Sequence, residues 1–544
     1  MVDRFAKKGL APRLLLAILM AASAGLLLTL TSGFTFITDE WDLVLLRPGW
    51  GPDSLLEPFH EHIVLAPAIV YKLLQSAFGM ESARPMQVAA ISAFLAGAGL
   101  LFAWLKGRVG EWAALIGAAI VLFLGAAFED LLWAFQLGYF GSLACGIGAL
   151  VALDRDDERG DLAASLLLVA SLAFSSMAIP FVAGAFVEWL TNPRGRRRRW
   201  FVPAVPIALY ALWWIGWGRE AESDASLSNL PDAPRYVWDA ASAGMTSMLG
   251  LATGDGSEPD QPHLIWGRIS LVALAALGWW RLLRLGRVPR GVMVTGAIAL
   301  AFFLLAALGQ NDLRPPTSSR YQLPAVIFIL LVCGELLRGL RIPGPALVVA
   351  GAVVLATSLS GIDLLRDQAE SRWKPSSIAN RVVLGAVTTA GEAARPGYAL
   401  DLTSVSVPVE RYLDEVRASG SPGYSPERIA GMDGAHRGLA DRALVDVEGI
   451  ALSGQDPGPP GSGCRAANAG PGAALELQPG AVSKVINREG RQLAVSLARF
   501  GDPPGVPVGS ALAGSRAWLT LPRDGSGRPW RVSLDGRGRI VTCG

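Results

Sequence analysis

Residues 34 to 42 read Phe-Thr-Phe-Ile-Thr-Asp-Glu-Trp-Asp, and they follow an apolar run, 13 to 32, whose only charge is Arg13. A helix rising ~1.5 Å per residue needs about 20 such residues to cross the hydrocarbon of a bilayer. The chain therefore leaves a span and meets three carboxylates, Asp39, Glu40 and Asp42, just outside it. Solubility does not require that cluster there. It reads either as an interfacial acidic turn with Trp41 at the headgroups, or as a carboxylate base or metal site facing the membrane boundary.

The apolar pattern recurs along the chain. Of 544 residues, 51% are hydrophobic and 17% charged, and mean hydropathy is +0.39, which excludes an ordinary soluble enzyme. About eleven spans are expected, near 13–32, 85–105, 111–128, 131–153, 162–178, 179–190, 200–218, 264–284, 291–308, 321–338 and 345–361, the 179–190 run being short for a full crossing. The first run is too long for a cleaved secretory signal, so an uncleaved first span is expected. Ile63 to Phe78 is only semi-apolar and reads as a helix lying at the outer surface within a long external loop, 33–84.

Basic residues near span ends stay on the cytoplasmic side. Arg4, Lys7, Lys8 and Arg13, then Lys106 and Arg108, then Arg194 and Arg196 to Arg199, then Arg284, Arg287 and Arg290, then Arg338 and Arg341 all fall on one side of such a layout. Loop 219–262, with eight acids including Glu220, Glu222, Asp224 and Asp260 against Arg219 and Arg235, falls on the other. The connection Asp154 to Asp161 fits less well, being acidic on the basic side. After Gly361 hydropathy drops. A helix is expected near Ile362 to Trp373, a mixed helical region to about 454, a turn-rich linker at 454–463, and then short alternating runs at 481–486, 492–497, 517–521, 530–534 and 539–542, the pattern of a small β-sandwich. The expected organisation is a membrane domain, 1–361, an extracytoplasmic helical or mixed region, 362–454, and an extracytoplasmic β-rich domain, 455–544. Cys464 and Cys543 bracket that last domain, and an external location permits a disulfide between them.

Charge is nearly balanced, 48 Lys plus Arg against 46 Asp plus Glu, so no nucleic-acid partner is expected. No GxxxxGK[ST], strand-bound GxGxxG, GxSxG or HExxH occurs, which removes the machinery of a nucleotide-driven pump and of the common hydrolases. Three further places concentrate chemistry. Phe59-His60-Glu61-His62 holds two of the four histidines. In an extended segment His60 and His62 point to one side and could share a divalent cation with a carboxylate such as Asp39 or Asp42; hydrogen-bonding roles are the alternative. Glu129 and Asp130, with Gln136 deeper, stand at an external turn, and they read equally as a solvated turn or as a lined cavity. Arg314, and Arg320 with Tyr321, stand at the outer mouth of the tenth span, where guanidinium can bind two oxygens of a lipid-linked phosphate or anchor at headgroups.

This layout resembles the GT-C superfamily of integral membrane glycosyltransferases, which use polyprenyl-phosphate sugars. Asp39-Glu40 after the first span looks like the Asp-Glu motif of protein O-mannosyltransferases and lipid A aminoarabinose transferases, and the HEH, EDLLW and SRYxxP stretches look like those of uncharacterised actinobacterial membrane proteins of this type. The Trp-Trp-Asp motif of oligosaccharyltransferases is absent. The resemblance implies a mainly α, polytopic membrane protein with a small C-terminal β-sandwich-like domain. It implies an inverting transfer at the outer face of the plasma membrane, from a polyprenyl-phosphate sugar to a glycan, lipid or protein acceptor. Asp39 would be the general base. Arg320 or Arg314 would face the leaving phosphate, while Glu40, Asp42, Glu61, Glu129, Asp130, Gln136 and Tyr321 would line the substrates. His60 and His62 would shape the pocket or touch phosphate, with a divalent cation optional. The competing classes are a lipid or glycan transporter and a wall-anchored assembly protein; the latter needs far fewer spans.

Overall fold

The computed structural model describes residues 10–192, 198–251, 261–402, 406–456, 464–469 and 474–543. Arg4, Lys7, Lys8, Arg194, Arg196, Arg197, Asp260 and most of the 454–463 linker lie outside the described residues. The chain forms two compact units: 1–32, 47–72 and 84–373 make the first, and 33–46, 73–83 and 374–544 the second.

The first unit is helical. Among the described residues six helices are long and apolar enough to cross a membrane: Ala11–Leu30, Arg84–Val109, Ala134–Leu153, Arg290–Leu308, Ser319–Leu336 and the start of Gly344–Ala393. A seventh crossing is possible as a pair, Glu111–Leu122 and Gly125–Leu132, bent by 43°. The remaining expected spans fall short for local reasons. Helix Glu158–Phe174 starts on charged residues and buries Asp161. Ser176–Thr191 and Phe201–Gly216 are short, and the latter carries Pro206 inside it. Gln261–Leu285 has the length but carries Arg268, Arg281 and Arg284.

The bend in the paired span has a steric cause. A Cβ on Gly125 would stand 2.4 Å from the Gly361 carbonyl oxygen, and one on Gly361 2.2 Å from that of Phe123. Only two glycines let these backbones touch. Gly361 is thus a contact and not a helix end: Gly344–Gln368, a π-turn at Ala369–Trp373 and Lys374–Ala390 follow one another without a break, where the sequence suggested a new element at 362.

At the end carrying the basic turns, charges interlock around a cavity of about 280 Å³. Arg108 reaches Glu335 at 2.5 Å and Asp154 at 2.9 Å. Arg199, 2% exposed, reaches Asp156 at 2.6 Å, Glu188 at 2.8 Å and Asp161 at 2.9 Å, and Arg290 shares Glu188. The acidic connection that sat awkwardly on the basic side is therefore the partner set of its arginines.

In the second unit, helices Lys374–Ala390, Val409–Ser419 and Gly434–Glu448 accompany a two-stranded ribbon and two larger antiparallel sheets. The ribbon is β1 (Ala399–Asp401) with β2 (Ser406–Pro408). One sheet has the order β5 (Ala474–Leu477), β10 (Trp530–Leu534), β7 (Leu493–Ala498), β8 (Val506–Ala511); the other is β3 (Leu452–Ser453), β9 (Arg516–Thr520), β6 (Val482–Asn487), β11 (Gly538–Cys543), β4 (Arg465–Ala469). The sheets face each other where a Cβ on Gly538 of β11 would lie 2.8 Å from Leu493 and from Leu534. All five expected strands are present, as β6, β7, β9, β10 and β11. Strands β1 to β5 and β8 are additional to these: β1, β2 and β3 are only two or three residues long, β4 is built on alanine, and β8 contains Pro507 and Gly509, which suit only an edge strand.

Behind the sheets lies a buried polar network. Asp441 accepts backbone hydrogen bonds from Arg499, Phe500 and Gly501 at 2.9–3.0 Å. Arg499 pairs with Asp524, both side chains fully buried, and lies 4.0 Å over the Trp530 ring. Burial first, then the neighbouring Asp524 carboxylate, pushes Glu448 up to about 9, so it is protonated at neutral pH. Cys464 is disulfide-bonded and Cys145 and Cys333 are free. The Cys543 side chain lies outside the described residues, but the register pairing Thr542 with Arg465 brings position 543 opposite 464.

Candidate functional site

In the first unit three loops at helix ends carry most of the expected site residues. Phe59 and His62 exchange backbone hydrogen bonds of 2.9 Å each, closing a two-residue corner at His60 and Glu61. His60 occupies it with φ +46°, a left-handed conformation that a non-glycine residue seldom adopts. This corrects the extended reading: the backbone reverses between His60 and His62, so alternation no longer places them on one side. No group of three or more His, Cys, Asp or Glu among the described residues could hold a metal ion. Arg47 holds the approach to the corner, donating to the carbonyl of Glu57 at 2.6 Å and that of Pro58 at 3.3 Å.

Glu61 instead takes Arg314: Nη1 lies 3.0 Å from Glu61 Oε1 and Nη2 3.1 Å from Asp224. Burial is the largest influence on Glu61 and opposes its charge, but His62 and Arg314 together outweigh it and hold the carboxyl below its usual range. Burial likewise lowers His62 below its usual value, with Glu61 opposing. Tyr236 fixes the arginine's backbone, its hydroxyl donating to the Arg314 carbonyl at 3.2 Å.

The second loop is Phe128–Leu132, the outer piece of the bent span. Ser319 stitches it to the third: its hydroxyl donates to the Ala126 carbonyl at 2.7 Å and accepts from the Glu129 N–H at 3.1 Å. Glu129 thereby faces Arg320, 3.5 Å from Nε, and Arg372, 3.9 Å away on the π-turn. Asp130 is fully buried. Trp133 stacks on Phe135 at 5.2 Å and packs against Trp373 at 6.0 Å, and Phe135 meets Phe59 at 5.1 Å, joining the Trp133 loop to the HEH corner. Gln136 is buried at the start of Leu137–Leu153.

Five residues here keep a buried polar atom without a hydrogen-bond partner among the described residues: Glu61 Oε2, His62 Nδ1, both oxygens of Asp130, Trp133 Nε1 and Arg320 Nε. Each costs about 1–3 kcal/mol relative to a satisfied group, and such concentrations mark sites where something else supplies partners. Tyr139 belongs with them. Its ring lies 6.4 Å from His62, and it is electrostatically linked to Tyr321, Arg320, Asp130 and Arg314. Ser319 belongs to the SRYxxP stretch that the sequence marks, whereas Tyr139, Asp224 and Arg372 are not marked as site residues there. Only their proximity in the fold distinguishes them, although Asp224 had been noted in the acidic loop.

The Asp39 motif belongs to the second unit. Glu40 is 2% exposed and its carboxylate accepts from the Ile37 N–H at 3.0 Å, closing a tight turn that starts with Thr38 at φ +49°. Trp41 is fully buried against Phe36 and Tyr412, at 5.4 and 6.5 Å, so the headgroup-anchor reading fails for it. Asp39 and Asp42 remain half-buried. Glu40 thus shapes the turn that presents Asp39.

No family model matches the chain, and no curated protein sequence matches it. In fold it is similar to ArnT from Cupriavidus metallidurans. The structure of that protein bound to undecaprenyl phosphate matches with 13% identity and a TM-score of 0.43, over 73% of this chain and 84% of that one. The apo structure matches with 12% identity and a TM-score of 0.45, over 77% and 91%.

Proposed function

We propose that the protein is a membrane glycosyltransferase that moves a sugar from a polyprenyl-phosphate donor to a cell-envelope acceptor at the outer face, with inversion. The observation that carries the reading is the cluster of buried polar atoms without a hydrogen-bond partner on Glu61, His62, Asp130, Trp133 and Arg320, of which Asp130, Trp133 and Arg320 stand at or beside the ends of helices apolar enough to cross a membrane. A lipid-linked donor presents its phosphate and sugar at that depth. Arg320, with Arg372 beside it, is assigned to the departing phosphate, whose growing negative charge a guanidinium stabilises. Arg314, already held by two acids, positions the HEH corner. Asp39 is assigned as the base that takes the acceptor hydroxyl proton as that oxygen attacks the anomeric carbon.

The test is transfer from a panel of polyprenyl-phosphate sugars by purified wild type and an equally folded Asp39→Asn variant, with and without chelator. Wild-type transfer that falls by about 10²-fold or more in the variant supports the assignment. Equal activity removes Asp39, and chelator sensitivity would require a cation held by ligands other than the HEH pair. One feature favours the second reading, a lipid or glycan transporter: the broken span ending at the buried Asp130 has the form transporters use to bind cargo. Movement of lipid-linked glycan across liposomes without transfer would select it.

A further inference from the structure

The outward face of the five-stranded sheet in the second unit carries cations without carboxylates. Alternation puts Ser483, Val485, Ala517, Leu519 and Ile540 in the core, which leaves their neighbours outside. One cross-strand row reads Arg539, Ile486, Arg516, and the next reads Val541, Lys484, Trp518, Ser453. The Lys484 ammonium lies 5.2 Å from the Trp518 ring centroid. Among the described residues none of Arg516, Arg539 and Lys484 forms an ion pair, whereas Arg437, Arg491 and Arg499 elsewhere in the unit do. What sets this face apart is that its cations share one surface, with no carboxylate in either cross-strand row.

Strand geometry sets the spacing. Arg539 and Arg516 are two strands apart, ~10 Å, and Lys484 lies on the intervening strand in a row ~7 Å along. Three cations on a flat lattice of that mesh match successive negative charges along an extended polymer. An aromatic edge among them offers a surface for a sugar ring. Its apolar members, Ile486, Val541 and Trp518, are only half-exposed, unlike the protruding side chains with which proteins enter a lipid interface.

We propose that this face binds an anionic envelope polysaccharide, one bearing carboxylate or phosphate on successive sugars. The assignment concerns the second unit alone and is independent of the transfer chemistry, because binding is read without donor.

The test uses the full chain in neutral-lipid nanodiscs, with polygalacturonate as anionic probe, dextran as neutral control, and phosphatidylglycerol vesicles as the membrane alternative. Binding to polygalacturonate that weakens with salt, absence of binding to dextran, and at least tenfold weaker binding in Arg516→Ala/Arg539→Ala support the proposal. A Trp518→Ala variant should weaken it further at high salt, where charge is screened. Arg417→Ala/Arg428→Ala, two exposed arginines on helices Val409–Ser419 and Pro426–Ala430, serves as the charge-matched control and leaves binding unchanged. Equal weakening by that control reduces the effect to net charge and overturns the proposal. So does absence of polygalacturonate binding, and so does binding to the vesicles alone. Unchanged melting temperatures of the variants guard against misfolding.

Discussion

Arg314 and Arg320 stand six positions apart, and the sequence offered them as equals. Their surroundings separate them. Arg314 sits between Glu61 and Asp224, so its charge is answered within the protein, whereas Arg320 keeps a buried Nε without a hydrogen-bond partner beside Glu129. Arg320→Gln is therefore expected to lower transfer by about 10²-fold with little change in melting temperature. Arg314→Gln leaves two acids unanswered and is expected to cost a few °C of stability along with activity. Thermal melts alongside donor-saturation kinetics separate the two outcomes. His62 supplies a pH test. Its folded pKa lies below the value near 6.5 of an unfolded chain, so the native state binds fewer protons in that interval. The contribution of His62 is complete above about 6.5 and is lost as pH falls below it. Melting temperature should drop between pH 7 and 5, and His62→Gln should flatten that drop; an unchanged slope would dissociate His62 from it.

At the scale of elements, what the sequence revealed depended on whether the signal was local. Apolar length located the crossings at Arg84–Val109 and Arg290–Leu308 without help, and alternation located β6, β7, β9, β10 and β11. The HEH corner was misread because a left-handed His60 is fixed by the loop around it and has no sequence mark. The helix through Gly361 was misread because a glycine that admits another backbone looks the same, in sequence, as one that ends a helix. Gly125→Val should therefore disturb the bend directly, displacing Phe128–Leu132 and with it Glu129 and Asp130. A large loss of melting temperature, or lost activity in a folded variant, is the expected outcome, and wild-type behaviour in both would refute the close contact. Glu448 yields a prediction of opposite sign to that of His62. With a folded pKa of about 9 against an unfolded value near 4.3, the native state holds the extra proton, so stability falls as pH rises from about 4 to 9. Glu448→Gln, which mimics the protonated acid, should raise the unfolding temperature at pH 8 and remove that dependence.

For the molecule as a whole, two questions of connectivity can be asked directly. Cys464 is bonded while Cys145 and Cys333 are free, and the proposed partner is Cys543. Alkylation of the unreduced, denatured protein should modify two thiols, and four after reduction; modification of Cys543 before reduction would refute the pairing. Neither the buried polar cluster nor the cation-bearing sheet face is visible as a unit in the sequence, since both gather residues from strands and loops far apart in the chain. The arginines at the other end of the helical unit show a different kind of double use, one ordered in time. While a chain is being made, its basic clusters have no acid partners yet, and clusters such as those holding Arg199 and Arg290 are the kind that insertion machinery reads to orient adjoining segments. Once the helices gather, the same guanidinium groups meet Glu188, Asp156 and Asp161 and lose their character as signals. Removing Glu188 should then leave orientation intact and impair only assembly, whereas removing the arginines puts the earlier step at risk as well. A topology error and a packing error can thus arise from opposite halves of one ion pair.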